Sequence, residues 1–213
     1  MSFKENKFLR QNNFISSEMA YSMYRYSLVS SNKAKFLIEN KRDYFNEFEH
    51  GYFRDPQAPL AWSKYGDAFF DTILEVYRPK IEKLIDVELV STTSYARVYE
   101  KGSVLDVHRD KPWTEISATL CLGYDADSAW PFWIEPDWSF SLRPGDILLY
   151  RGPEVKHWRN AFTGINHAQL FLHYNDKNST LAPNNHNDSR PLLGLGPQEK
   201  IDWGKNPIER FEK

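Results

Sequence analysis

The spacing of apolar residues changes period near residue 87, and that change limits what the chain can build. Between about Asp67 and Leu84, the residues Phe69, Phe70, Ile73, Leu74, Tyr77, Ile81 and Leu84 recur at three- and four-residue intervals. One face of an amphipathic helix requires that spacing. Pro79 is expected to kink this helix or divide it into two pieces. An earlier helix is expected after Ser16 and Ser17, because a serine oxygen can cap the free amides of a first turn. The segment from Phe53 to Pro59, with Asp55-Pro56, reads as a loop. From Val87 the pattern becomes short β-prone runs: Val87 to Leu89, Tyr95 to Tyr99, Ile116 to Leu122, Trp130 to Ile134, Phe140 to Leu142, Asp146 to Tyr150 and Gln169 to Tyr174. Turn residues at Lys101-Gly102, Gly123 to Asp127 and Pro144-Gly145 separate them. Helices followed by many short strands predict an α+β chain whose strands close into a sandwich or barrel.

At 213 residues the chain is long enough to bury a single core without staples. The expected organisation is helical support over 1-90, a strand-built core over 91-176 and a tail over 177-213. The tail is dense in Asn, Pro, Gly and charge, with Leu192, Leu193 and Leu195 as a candidate docking patch, and is expected to be extended or partly disordered. Lys+Arg 27 against Asp+Glu 29 gives a formal net charge of -2, which argues against a nucleic-acid binder that works by neutralising phosphate. The single cysteine, Cys121, excludes an intramolecular disulfide and a cysteine-rich zinc site, and is expected to be buried and inert. No apolar run of signal-peptide length follows Met1, and none reaches the roughly 18 residues that span a bilayer, so a soluble, cytoplasmic protein is expected.

Chemistry is concentrated in the strand-rich part. His108 and Asp110 lie two apart, so an extended backbone projects both to one face, where they can grip one ion. A His-x-Asp pair alone is a weak signal. His157 follows the run Asp146 to Tyr150 after a short turn and is the candidate third ligand. Two imidazoles and a carboxylate on one face of a metal leave positions open, the arrangement suited to non-haem Fe(II).

The order and spacing of several segments lift this signal: Tyr95-Ala-Arg97-Val-Tyr99-Glu-Lys-Gly102, Leu105-Asp-Val-His108-Arg-Asp110, Ser117-Ala-Thr-Leu-Cys-Leu-Gly123, Leu142-Arg-Pro-Gly145-Asp146-Ile-Leu-Leu-Tyr150, then His157, Gly164 and Gln169-Leu-Phe-Leu-His-Tyr174. From about Leu89 to Asp176 the chain resembles the 2-oxoglutarate/Fe(II)-dependent oxygenases, in particular their prolyl-hydroxylase-like branch. That resemblance implies a double-stranded β-helix (jelly-roll) core with the N-terminal helices packed against it. It implies Fe(II) held by His108, Asp110 and His157, 2-oxoglutarate as cosubstrate, O₂, and ascorbate as a supporting reductant. The substrate, an organic molecule or a protein side chain, is left unnamed. Tyr99 falls where the family has an aromatic that touches the cosubstrate. In one respect the chain departs from the family. Where those enzymes place an Arg or Lys nine or ten residues beyond the distal histidine to pair with the far carboxylate of 2-oxoglutarate, this chain has His167. Arg159, two residues beyond His157, is the favoured replacement, with His167 beside it.

Competing readings are weaker. His108-Arg-Asp110-Lys-Pro112 mimics a kinase catalytic loop, but position 115 is Glu where that loop needs Asn. A jelly-roll binding module with a structural or vestigial metal site remains the alternative, kept open by His167. A cupin-type enzyme usually has more histidines. His173 is assigned no role, and His50 and His186 are taken as solvated. The tryptophans at 130, 133, 138 and 158 can line a substrate groove over the metal or belong to the core. The loop Asp125 to Trp138 and the segment Asn40 to Tyr65 are the candidate substrate-facing elements.

Overall fold

Alternation along the long strands separates two environments, and the fold follows from it. In a computed structural model that describes residues 3–196, the elements in chain order are α1 (Phe3–Asn6), β1 (Phe8–Gln11), α2 (Ser17–Glu39), α3 (Glu47–His50), β2 (Tyr52–Asp55), β3 (Ala58–Tyr65) and α4 (Ala68–Ile85). They continue as β4 (Leu89–Glu100), β5 (Leu105–His108), β6 (Ile116–Asp125), β7 (Phe132–Ile134), β8 (Trp138–Phe140), β9 (Ile147–Tyr150), β10 (His157–Arg159), β11 (Asn166–Asp176) and α5 (Ala182–Asn185), with a 3-10 turn over His186–Ser189.

A seven-stranded antiparallel sheet runs β1-β9-β6-β11-β4-β3-β2, and a four-stranded sheet runs β5-β10-β7-β8. Ala96 and Val98 of β4, Ala118 and Leu120 of β6, and Leu170 and Leu172 of β11 face α2 and α4, packing with Met23, Phe70, Leu74 and Ile81 into the main core. The alternate residues face the smaller sheet. Cys121, Leu148 and Tyr150 meet Leu105, Phe132 and Ile134 across the gap, and Tyr99 and Phe171 join Trp130 and Phe162. Each buried large apolar side chain contributes roughly 1.5–3 kcal/mol. Two-residue periodicity thus sorts an apolar face toward the helices and a mixed, chemistry-bearing face toward the interior.

Several elements differ from expectation. Pro79 neither breaks nor divides α4, which runs through it over 18 residues. Pro79 lies on the exposed face, where water can meet the carbonyl it leaves without a donor. Asp67 caps the start of that helix, accepting from Phe69 N and Phe70 N. Phe53 to Pro59 is not a loop: it is most of a hairpin, β2 and β3, turned by Asp55 Oδ1 accepting from Gln57 N at 2.8 Å. β3 then pairs with β4 over Ala61 to Tyr65, and β1 pairs with β9, so the first ninety residues supply three strands as well as helices. Of the expected run Val87–Leu89 only Leu89 is in a strand; it opens β4, which runs unbroken through Tyr95–Tyr99 to Glu100.

Residues 177–196 are not extended. They carry α5 and the 3-10 turn, and Arg190 is buried in an ion pair with Asp71 of α4 at 2.8 Å. Leu193 packs against the core, whereas Leu192 is exposed. The remainder of the expected tail, 197–213, lies outside the described residues. Among the described residues no helix is long and apolar enough to cross a membrane.

Candidate metal centre

Strand pairing brings the separated ligand candidates together. β10 lies antiparallel to β5 with His157 opposite His108, and their rings stand edge to face with centroids 4.2 Å apart. Asp110 follows β5 by two residues, its amide donating to Gly152 O at 3.0 Å. One ligand atom from each of His108, Asp110 and His157 lies within 4.8 Å of the others. Asp110 Oδ1 is 3.6 Å from His108 Nε2 and 3.4 Å from His157 Nε2. Ligand atoms about 2.1 Å from a common ion and at right angles to one another stand roughly 3 Å apart, so a modest contraction completes such a set.

The same local device fixes the tautomer of both histidines. His108 Nδ1 faces Asp106 O at 2.7 Å, and His157 Nδ1 faces Val155 O at 3.1 Å. A carbonyl only accepts, so each Nδ1 carries a proton, and Nε2 of each ring, the nitrogen facing Asp110, is the one left to bind a metal. The His157 ring is further held by stacking on Phe132 at 5.4 Å and by Tyr150 at 4.8 Å. Burial opposes ionisation of Asp110, but the His108 and His157 rings hold its carboxyl well below the usual carboxylate range. The donor set of two neutral nitrogens and one carboxylate fits a divalent metal of the iron type and differs from a thiolate-rich zinc site.

The second carboxylate oxygen is also engaged. Ser117 Oγ donates to Asp110 Oδ2 at 2.6 Å. A Cβ at Gly152 would sit 2.2 Å from that same oxygen and 2.7 Å from Asp110 Cγ. Gly152 is therefore required because the carboxylate lies against its bare Cα. Gly152→Ala is expected to displace Asp110, lower stability by about 1–3 kcal/mol from overpacking, and weaken divalent-metal affinity at least about tenfold. Thermal unfolding and metal competition titrations read the two effects, and wild-type metal affinity would contradict the clamp.

Deeper in the interior Arg159 is 1% exposed. Its Nη1 donates to Trp130 O at 2.6 Å and its Nη2 to Gln169 Oε1 at 3.2 Å, while Nε has no partner. Among the described residues no carboxylate lies within ion-pairing distance of Arg159. It stacks on Trp130 and Phe132, with its guanidinium carbon 4.6 and 5.2 Å from the ring centroids. His167 Nε2 donates to Gln169 Oε1 at 2.7 Å, and Gln169 Nε2 donates to Thr119 Oγ1 at 2.6 Å. Burial, then the charge of Arg159, pushes the His167 pKa down to about 3, so His167 is neutral and orients Gln169. Tyr99 is fully buried, edge-on to Trp130 at 5.0 Å, with Arg97 Nη1 3.5 Å from its hydroxyl. Arg97, unlike Arg159, has a counter-ion, Asp55 at 2.5 Å.

Sequence alone gives no role in the site to Ser117, Gly152, Thr119, Gln169, His173 or the Arg97–Asp55 pair. A polar face alternating along β6 (Ser117, Thr119, Cys121) was the available signal. Of the tryptophans, Trp130 is core against Arg159, Trp133 and Trp158 stack on each other at 6.1 Å, and Trp138 is exposed beside Phe8. Cys121 is buried, which pushes its thiol up to about 12. His186 is exposed and His50 is half-buried, stacked on Phe45.

No family model and no curated protein matches the sequence. Solved structures do match in fold. A Pseudomonas putida prolyl-4-hydroxylase superposes with TM-score 0.56 at 12% identity, over 82% of this chain and 95% of its own. HygX from Streptomyces hygroscopicus, with nickel and 2-oxoglutarate bound, gives 0.57 at 14% identity, over 84% and 86%. The non-haem α-ketoglutarate-dependent carbocyclase SnoK of nogalamycin biosynthesis gives 0.60 at 12% identity, over 93% and 91%. The chain has the fold of the 2-oxoglutarate/Fe(II)-dependent oxygenases, in its prolyl-hydroxylase-like form.

Proposed function

We propose that this protein is an Fe(II)- and 2-oxoglutarate-dependent dioxygenase, built on a double-stranded β-helix, that hydroxylates a small molecule or protein side chain. The observation that carries the reading is the convergence of His108 Nε2, His157 Nε2 and Asp110 Oδ1 on one centre, with both Nδ1 protons already committed to backbone carbonyls. Metal and 2-oxoglutarate together, once bound, supply the oxidising chemistry, with succinate and CO₂ as co-products. The chain supplies placement. Arg159 offers an unpaired cation and a free Nε–H to the far carboxylate of a dianion whose other end faces the triad. Gln169, held by His167 and Thr119, keeps the guanidinium plane in position. Trp130 and Phe132 pack on the guanidinium and Tyr99 on Trp130, all buried, so a charge pairing made by Arg159 is little screened by water. Helices and strands before residue 90 act as support within the same domain, and the protein works in the cytoplasm.

Calorimetry with the wild-type protein loaded with Ni(II) tests the reading: 2-oxoglutarate is expected to bind only when metal is present, and Fe(II) is expected to give succinate. Binding of metal without any binding of 2-oxoglutarate would favour the jelly-roll binding module instead. Arg159→Met keeps the length and apolar packing of the side chain but removes the charge. It is expected to weaken 2-oxoglutarate binding by about 100-fold, in the range of 2–5 kcal/mol for one partner of a buried charge pair. Metal affinity should stay within a factor of about three, since Arg159 touches none of the ligand side chains. Unchanged 2-oxoglutarate affinity would remove Arg159 from the site.

A further inference from the structure

Asp110 can bind a metal through one oxygen or through both, and the choice is made by groups that are not ligands. Ser117 on β6 stands opposite His173 on β11 in the register of the larger sheet, and both side chains turn to the interior face. Ser117 Oγ is 2.6 Å from Asp110 Oδ2 and 3.2 Å from His173 Nδ1. A serine hydroxyl has one proton to give. The separation of 2.6 Å from a carboxylate is that of a charge-assisted bond, whereas the competing acceptor, Thr114 O, is 3.5 Å away. The proton therefore goes to Asp110. Ser117 Oγ is then an acceptor toward His173, so Nδ1 of His173 carries a proton and donates it. The direction of the chain is fixed from end to end: His173 to Ser117 to Asp110.

Resting on the reading of His108, Asp110 and His157 as a metal centre, we propose that Ser117 and His173 are its positioning residues: together they tie up Asp110 Oδ2 so that Oδ1 alone is presented between the two imidazoles. Gly152 closes the other side of the same carboxylate. The carboxylate is then held in one rotamer before any ion arrives, and outer hydrogen bonds of this kind contribute to metal affinity by fixing ligand orientation. Holding Oδ2 away also keeps Asp110 from occupying a second position on the ion, leaving that position for a cosubstrate or substrate.

The test reads metal affinity and geometry in place of turnover. Co(II) titrations of the apoprotein, followed by d–d absorption and by competition with a chelator, give the Kd and the coordination of the bound ion. Ser117→Ala is expected to weaken Co(II) binding 10–100-fold and to change the d–d spectrum. His173→Leu should do the same in smaller degree, while His173→Asn, whose amide can donate from near the Nδ1 position, should return the affinity to within a factor of about three of wild type. The double variant Ser117→Ala/His173→Leu should be no weaker than Ser117→Ala alone, because His173 acts through Ser117. A merely structural role would lower the apoprotein Tm without this ordering. Wild-type affinity and an unaltered spectrum in Ser117→Ala would overturn the proposal while leaving the metal centre intact. Failure of the wild-type protein to bind Co(II) at all would overturn both.

Discussion

Asp110→Ala is expected to abolish metal-dependent turnover of 2-oxoglutarate and to weaken divalent-metal binding by more than about a hundredfold, beyond what loss of an outer hydrogen bond produces. The two imidazoles that remain can bind a metal only as neutral ligands through Nε2, each with its Nδ1 proton given to a carbonyl. They supply lone pairs but no charge, so the carboxylate is the group that compensates a divalent cation. Two consequences separate this result from general damage. Asp110→Asn keeps the shape against Gly152 and can still accept from Ser117, so it should fold as the wild type does and yet lose most of the metal affinity. The folded apoprotein stabilises Asp110 as an anion, so either substitution should lower its Tm somewhat while leaving a cooperative unfolding transition well above the temperature of the metal titration. Succinate release and metal titration are the measurements. Succinate release by Asp110→Ala at the wild-type rate would end the assignment of this carboxylate, and with it the oxygenase reading.

Much of this centre was legible in sequence because its parts obey the two-residue period of strands. His108 and Asp110 share a face by spacing alone, as do His157 and Arg159, and β5 and β10 then bring the pairs together. What spacing does not encode is which strand lies opposite which. Ser117 meets His173 only through the β6–β11 register, which shifts by a residue between Ala168 and Gln169, so the contact has no local signature. Gly152 was invisible for a related reason. Its φ is ordinary, and the need for a bare Cα comes from Asp110, forty-two positions away. The hairpin of β2 and β3 reads as a loop in sequence because Asp55-Pro56 and Pro59 are turn residues, while β3 is held in the sheet by pairing with β4, a partner thirty or more residues away. Helical periodicity, by contrast, is local, which is why α4 stood out apart from the effect of Pro79. The C-terminal segment differs from expectation for the opposite reason to the strands: its composition is polar, yet it is tied down by the packing of Leu193, the side-chain bonds of Asn185 and, most deeply, the buried charge of Arg190.

That charge carries a prediction about stability. Arg190→Met is expected to lower the free energy of unfolding by about 3–5 kcal/mol, or on the order of 10 °C in Tm. Asp71 and Arg190 are buried to 1% and 2% side-chain exposure. Asp71 Oδ1 accepts from the amide and hydroxyl of Ser94, and Oδ2 accepts from Arg190 Nη1 and the amide of Gly194. Removing the guanidinium leaves a carboxylate between α4 and β4 with its dipolar partners but no cation. The guanidinium also donates to Asn187 O, Leu195 O and Thr92 O. Those bonds span a stretch in which Asn187, Asp188 and Ser189 all hold positive φ, at 54°, 54° and 58°. Each such residue costs roughly 1–2 kcal/mol relative to right-handed backbone, so the segment depends on its anchor. Urea unfolding gives the energy, and a double variant gives the cause. Asp71→Leu/Arg190→Met removes both charges and should recover much of the loss, because the penalty comes from an uncompensated ion more than from the missing contact. A double variant no more stable than Arg190→Met would show that the hydrogen bonds to the chain at 187 and 195, and not the stranded carboxylate, account for the effect.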